Sequence, residues 1–336
     1  MKKIIYLLLL ALLLSACGGQ TDEPAVSATV PATLPATDAP TEPVTEAPTE
    51  PQLTVYTLSF VGDCTLGCTD DVRANPNSFD SVVGEDYDYP LANLEGTLTD
   101  TGKAMEKQYA FRGTPAYAAI LSGSSVEAVS NSNNHYYDYG ETGMRNTRTA
   151  LDDAGIARAW RGSFLYTTGS GLTIGVYCDD FSFEKKDMEQ SFADLRARGA
   201  EVIVCAFHWG GEKVYKPNYD QQTWGRIAID AGADIVAGHH PHVLQPIEYY
   251  GDGVIFYSLG NFCYGGNMNP KDKDTAIVQQ QFIRCDDGSL AWGETVVIPC
   301  SVSSVHERNN YQPTPLAEGT TAYERVLQKL DGTFVP

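Results

Sequence analysis

Five of the chain's six histidines, His135, His208, His239, His240 and His242, stand at the ends of apolar, strand-like runs, and only His306 lies apart. The same junctions carry Asp63, Glu95 and Asn134. Imidazole nitrogens and carboxylate or amide oxygens are the donors that borderline divalent cations accept. Asp63, Glu95, Asn134, His208, His240 and His242 therefore offer a candidate metal centre. Each histidine alone has an ordinary explanation as a solvated or hydrogen-bonded loop side chain. Gathered at one sheet edge, the set would otherwise concentrate desolvated polar groups without partners. Such a centre suits hydrolysis, because a metal lowers the pKa of bound water and polarises a phosphoryl or carbonyl oxygen. No GxGxxG or Walker pattern follows a strand, so ATP or nicotinamide use is not expected.

The elements that must position these groups can be read from the same runs. LTVYTLSFV ends in Gly62-Asp63, YPLANLE carries Asn93 and Glu95, and VEAVSNSNNH ends at Asn134-His135. EVIVCAF ends at His208, and ADIVAGHH at His239 and His240. Helices are predicted over 140–154, 187–198 and 221–231, the last two stopping at Gly199 and Gly232. Alternation of this kind argues for βαβ units with buried, largely parallel strands. Polar residues that follow such strands fall at the carboxyl edge of the sheet, where α/β proteins place their sites. After Gln245 the runs PIEYY, GVIFYSLG, TAIVQQQFIRC and LAWGETVVIPC read as antiparallel hairpins, and a later AYERVLQKL as a short helix. The expected fold is mixed α/β, with two sheets packed between helices.

From about 53 to 262, the ordered motifs FVGD, ANLEG, SNNHYYDYG, FHWGGE, GADIVAGHHPHVLQ and YSLGNF resemble those of the bacterial capsule synthesis protein CapA family. That family, also called the poly-γ-glutamate synthesis family, has a fold similar to the calcineurin-like metallophosphatases. The resemblance implies an α/β four-layer sandwich, two mixed sheets flanked by helices. It places metal ligands at Asp63, Glu95, Asn134, His208, His240 and His242, with Glu95 as the bridging acid, and one or two divalent ions of manganese, zinc or iron. His135 becomes the general acid that protonates the leaving oxygen. Asp138, Glu212, His239, Gln245 and Asn261 lie in the same motifs and are expected to support the ligands or touch substrate. One departure matters: the superfamily's Asp-x-His is Asp63-Cys64-Thr65 here, so an imidazole is missing. One ion would keep Glu95, Asn134, His208 and His240. The other would keep only Asp63, Glu95 and His242, so the two sites should be unequal.

Residues before the domain address its compartment. Lys2 and Lys3 precede an apolar run over 4–14, followed by Leu14-Ser15-Ala16-Cys17, which resembles a bacterial lipobox. Residues 1–17 read as a signal peptide ending at Cys17, whose lipidation would anchor the protein to the extracytoplasmic face of the cell membrane. Residues 18–52, with seven prolines, six acids and no base, read as an extended tether ahead of one domain over 53–336. Aromatics at 10% exclude disorder of the whole chain. The 336 residues carry 43 acids against 23 bases, and 37 against 21 from 53 onward, which excludes ordinary nucleic-acid binding. An anionic substrate would need the local charge of a metal to approach.

Seven cysteines follow Cys17, so at least one thiol is unpaired, while Cys285–Cys300 and Cys64–Cys68 bridges stay open from sequence. Tyr136, Tyr137 and Tyr139 could line a substrate groove or simply pack. Two functions fit. The first is a metal-dependent hydrolase acting on a phosphoester or an amide-linked anionic surface polymer such as poly-γ-glutamate. The second is a non-catalytic polymer-binding or assembly factor that meets membrane synthase subunits of a capsule machinery.

Overall fold

In β1 (Thr54–Thr65) Tyr56, Leu58 and Phe60 point into a core shared by two sheets, while Val61 and Cys64 join a second core behind it. Val61 takes the opposite face by the two-residue period of a strand, and the register shift between Phe60 and Asp63 brings Cys64 to that face as well. The computed structural model describes residues 54–67, 88–124 and 126–336, all within one compact unit. The signal segment, Cys17, the 18–52 tether and Cys68 lie outside the described residues. No helix among the described residues is long and apolar enough to cross a membrane.

After β1 come β2 (Asp88–Leu94), the short pair β3 (Thr97–Leu98) and β4 (Arg112–Gly113), α1 (Ala118–Ser122), β5 (Ala128–Ser130), α2 (Gly140–Asp153) and β6 (Ala157–Ala159). Then follow β7 (Gly162–Thr167), β8 (Thr173–Asp180), α3 (Lys185–Ala197), β9 (Val202–His208), α4 (Tyr219–Asp230) and β10 (Ile235–His239). The last part holds β11 (Leu244–Tyr250), β12 (Gly253–Leu259), β13 (Asn261–Tyr264), β14 (Asp274–Arg284), β15 (Leu290–Ser301), β16 (Thr314–Pro315) and α5 (Thr321–Asp331). One sheet runs β16-β15-β14-β1-β2-β5-β6, with β13 also paired to β1, and the other runs β11-β12-β10-β9-β8-β7. Pairs β1–β2, β2–β5, β8–β9, β9–β10 and β10–β12 are parallel, whereas β7–β8, β11–β12, β1–β14 and β14–β15 are antiparallel.

Three cores give the layering. Leu58, Phe60 and Val278 of the first sheet meet Val176, Val204, Ala237 and Phe256 of the second. Leu94 and Val129 on the outer face of the first sheet pack on Leu121 of α1 and Leu151 of α2. Ile203, Cys205 and Val236 on the outer face of the second pack on Met188, Phe192 and Leu195 of α3 and Ala228 of α4. The order is helix, sheet, sheet, helix, the four-layer sandwich of two mixed sheets that the sequence implies. The pairing left open between Cys285 and Cys300 does not form, and no disulfide occurs among the described residues. In the β14–β15 hairpin Cys300 lies opposite Thr275, at the far end from the turn that follows Arg284, so the two thiols cannot meet.

Helix α5 is fastened to the first sheet by buried charge. Lys329 Nζ donates to Asp272 Oδ2 and Asp274 Oδ2, each at 2.7 Å, and Arg325 grips Asp274 through two bonds of 2.6 Å. Burial opposes the Asp274 charge, but Arg325 and Lys329 hold its carboxyl below the usual range. The Lys329 side chain is only 2% exposed, so Asp274→Ala would leave it under-compensated. A loss of about 3 kcal/mol is expected in urea unfolding at neutral pH. The Asp274 contribution should be fully present above the unfolded carboxylate pKa and fade as pH falls through the depressed folded value.

Candidate metal centre

The candidate residues converge at the carboxyl edges of both sheets. Asp63 lies near the end of β1, Glu95 follows β2, and Asn134 and His135 follow β5. His208 ends β9, His239 ends β10, and His240 and His242 occupy the turn into β11. Two glycines allow this convergence. A Cβ on Gly62 would meet Gly260 O at 2.1 Å, and one on Gly238 would meet Tyr257 O at 2.1 Å. Those close backbone approaches explain why Gly precedes both Asp63 and His239. His240 and His242 adopt φ of 97° and 55°, a left-handed backbone that is uncommon outside glycine and concentrates at functional sites.

Two donor sets share one residue. Ligand atoms of Glu95, His208 and His240 lie within 4.8 Å of one another, and so do those of Asp63, Glu95 and His242. Asn134 Oδ1 meets His208 Nε2 at 2.8 Å and so belongs beside the first set. Thr65, which stands where the missing imidazole would be, buries a hydroxyl with no hydrogen-bond partner. Asp63 is well supported: Asn93 Nδ2 donates to it at 2.9 Å, His239 Nδ1 at 3.1 Å and the His240 backbone N–H at 3.2 Å. His242 Nδ1 lies 3.1 Å from Asp63 Oδ2 and 3.0 Å from Asn261 Oδ1.

Glu95 contrasts with this. Both its carboxylate oxygens are buried without a hydrogen-bond partner, as is His240 Nδ1. A buried carboxylate with no donor is costly unless a cation or a proton satisfies it. Burial, further aided by Asp63 and Glu212, pushes Glu95 up to about 8 despite the counteracting His242. Burial and neighbouring imidazoles hold His208 well below the usual histidine range and His240 at about 4, so both rings are neutral at pH 7, the form a metal requires. His242 goes the other way, since burial is outweighed by Glu95 and Asp63, which raise it to about 10. Orphaned oxygens, neutral imidazoles and an oxygen–nitrogen donor set fit a borderline divalent ion. Glu95 and His242 hold protons at pH 7 that a metal must displace. Metal uptake is therefore expected to release protons, and apparent affinity to rise by about tenfold or more between pH 6.5 and 8.5, as read by titration calorimetry in buffers of different ionisation enthalpy.

A model of the family described as bacterial capsule synthesis protein PGA_cap matches residues 57–163 and 168–265. The chain belongs to that family. It is 30% identical over 307 residues to the PGA biosynthesis protein CapA of Bacillus subtilis, a match that covers 82% of this chain and 78% of that one. It is 32% identical over 173 residues to the capsule biosynthesis protein CapA of Bacillus anthracis, covering 44% of this chain and 42% of that one. Among solved structures it is similar to the Haemophilus influenzae NAD nucleotidase NadN, with a TM-score of 0.43 and 12% identity over 83% of this chain and 63% of that one.

In this PGA_cap member the remaining motif residues separate by what they touch. Asp138 Oδ2 accepts from His135 Nδ1 at 2.7 Å and from the Phe111 backbone N–H at 2.6 Å. Since a carboxylate only accepts, His135 carries its hydrogen on Nδ1 and leaves Nε2 to exchange protons. Gln245 touches neither ligand nor open surface: it accepts from Gln221 and donates to Val214 O, fixing the loop after β9. Glu212 in that loop is exposed and acts on Glu95, His240 and His242 through charge. Tyr136 is buried and stacks on Trp160, Tyr137 is exposed, and Tyr139 lies under the Arg112 guanidinium, so the three tyrosines do not line one groove.

Four further residues support the centre, and two of them, Lys107 and Phe111, lie outside every motif quoted above. Lys107 Nζ donates to Asp138 Oδ1 at 2.6 Å and to Asn134 O at 2.9 Å. Phe111 stacks on the His135 ring at 4.1 Å. Asn133 donates to Asn93 Oδ1 at 3.0 Å and to Leu94 O at 2.9 Å, tying the loop after β5 to β2. Asn93 then holds Asp63, and the places of Asn93 inside ANLEG and Asn133 inside SNNHYYDYG are the clues the chain offers.

Proposed function

We propose that this PGA_cap member is an accessory protein of capsule or poly-γ-glutamate synthesis that acts as a metal-dependent hydrolase on a phosphoester or an amide-linked anionic surface polymer. In this reading a lipidated Cys17 anchors the domain at the outer face of the cell membrane, beside synthase subunits. The observation that carries the hydrolase is Glu95, a fully buried carboxylate at the junction of two ligand sets. Its oxygens accept no hydrogen bond among the described residues, and Oε1 meets His242 and His208 at 3.6 and 3.7 Å.

Glu95, His208, His240 and Asn134 would hold one divalent ion of manganese, zinc or iron, and Asp63, Glu95 and His242 a second, weaker one. Such an ion supplies a Lewis acid for a phosphoryl or carbonyl oxygen and lowers the pKa of water. The chain's own residues do the rest. Asn93 and His239 fix the Asp63 carboxylate, and Asn261 fixes the His242 ring. Asp138 holds the Nδ1 hydrogen of His135 and supports its imidazolium form, in which a second proton, carried on Nε2, passes to the departing oxygen or nitrogen and leaves the neutral Nδ1–H ring. Lys107 holds the Asp138 carboxylate in place, and the Phe111 ring excludes water from one face of the imidazole.

Elemental analysis of protein purified without chelator tests this, beside a Glu95→Ala/His208→Ala double variant. Near-stoichiometric manganese, zinc or iron lost in the double variant, with metal-dependent cleavage of bis(p-nitrophenyl) phosphate or a γ-glutamyl polymer, is the expected result. A parent that takes up none of these ions would leave a polymer-binding or assembly role without chemistry.

A further inference from the structure

Two bulky residues beside the centre occupy left-handed backbone together. Phe181, directly after β8, has φ of 50°, and Arg161, between β6 and β7, has φ of 44°. Side chains with a Cβ rarely adopt this region, and bulky ones there are genuine outliers held by their surroundings. The two are tied to each other, because the Arg161 Nε–H donates to Asp180, the residue before Phe181. The Arg161 backbone N–H also donates to Ser132 Oγ at 2.7 Å, in the loop that carries Asn134.

What this strained corner presents is aromatic surface. The Phe181 ring is 52% exposed and belongs to none of the three cores. It stands edge-on to His240 at 5.2 Å and to His208 at 5.8 Å, against the Glu95–His208–His240 ligand set. Trp160 is 41% exposed, with one face stacked on buried Tyr136 at 5.0 Å. The Arg161 guanidinium lies 5.6 Å from the Trp160 ring centre. The Arg161–Asp180 and Arg161–Ser132 bonds hold the strained backbone, but core packing accounts for neither the exposed Phe181 ring nor the open face of Trp160.

We propose that Phe181 and the Trp160–Arg161 corner form a subsite for a ring carried by a phosphoester whose phosphate sits at the metal centre. This rests on the metal-centre reading above and narrows it. Aromatic faces next to a few convergent polar groups are the usual lining of small-ligand sites, and a flat ring gains most from them. Arg161 adds a guanidinium at the same wall, one edge of which Asp180 already holds in orientation. A linear γ-glutamyl chain offers carboxylates and methylenes but no ring for these faces. The ring is that of a sugar or of a nucleoside, since both join a flat-faced group to a phosphoester.

The test is titration calorimetry of the manganese-loaded full chain with four probes: inorganic phosphate, α-D-glucose 1-phosphate, adenosine 5′-monophosphate and a tri-γ-glutamyl peptide. At least one ring-bearing phosphate is expected to bind about tenfold more tightly than inorganic phosphate. Whichever shows the larger gain identifies the ring. That gain should fall to about twofold or less in Phe181→Gly and in Trp160→Ala, read as the ratio of the two affinities within each variant. Phe181→Gly is expected to melt no lower than the parent, because glycine adopts this φ without strain. A ring-independent affinity in the parent, a gain that survives in both variants, or tighter binding of the γ-glutamyl peptide would overturn the subsite. Ring phosphates that bind where inorganic phosphate does not would keep the subsite and sink the metal reading. If none of the probes binds, both fall.

Discussion

Glu95→Gln is expected to lower metal affinity by at least about 100-fold while leaving the metal-free fold no less stable than the parent. Removing a partner of a metal ligand already lowers affinity by about 10–100-fold, and Glu95 is itself the residue common to both donor sets. Gln matches Glu in shape but brings no negative charge, so neither set keeps its shared anion. Stability of the metal-free fold should hardly change, because burial already favours the protonated, neutral Glu95 and a neutral amide of the same shape takes its place. Thermal melts with and without manganese read both effects at once. The parent should gain about 2.7 kcal/mol when free metal is a hundredfold above its Kd, and E95Q should gain almost nothing. An E95Q protein that melts far below the metal-free parent would mean that Glu95 holds the fold rather than an ion.

His135→Ala is expected to reduce turnover by about 10²–10⁴-fold with metal content unchanged, the usual range for a positioned general acid. His135 sits next to Asn134 in sequence, yet neither donor set includes it. Its Nδ1 is committed to Asp138 and its ring is stacked on Phe111, an arrangement that fixes orientation. Asp138→Asn should then reduce turnover by a smaller factor, because the amide can offer the same acceptor without the charge that supports an imidazolium. Substrates with activated leaving groups, which need no proton, should be nearly insensitive to H135A. Metal lost in parallel with activity would instead make His135 a ligand or a structural residue.

The candidate ligand residues are legible in the sequence because the chemistry restricts residue type and strand ends restrict place. Asp63, Glu95, His208, His240 and His242 each follow an apolar run, and the structure brings them within reach of one another. Helices α2, α3 and α4 are legible too, since Gly199 and Gly232 mark the ends of the latter two. Lys107 and Phe111 are not, because a lone base and a lone aromatic in a loop carry no periodicity and gain meaning only when the chain folds back onto His135. Nor is Phe181, whose role depends on a backbone dihedral that residue type argues against. Gln245 shows the opposite failure. Its place in the GHHPHVLQ run suggests the site, whereas geometry gives it to Gln221 and Val214 in the scaffold beneath.

The donors divide evenly between the two sheets: Asp63, Glu95 and Asn134 come from the first, and His208, His240 and His242 from the second. An ion held by all of them is a clasp across the sandwich as well as a reagent. Neither sheet alone presents a complete set, so the clasp closes only after both halves have docked. Coordination that closes so late is expected to be missing from the transition state for unfolding, in which case its free energy appears as a slower rate of opening. Loading with metal should therefore lengthen the lifetime of the folded domain against proteases and heat much more than it hastens folding.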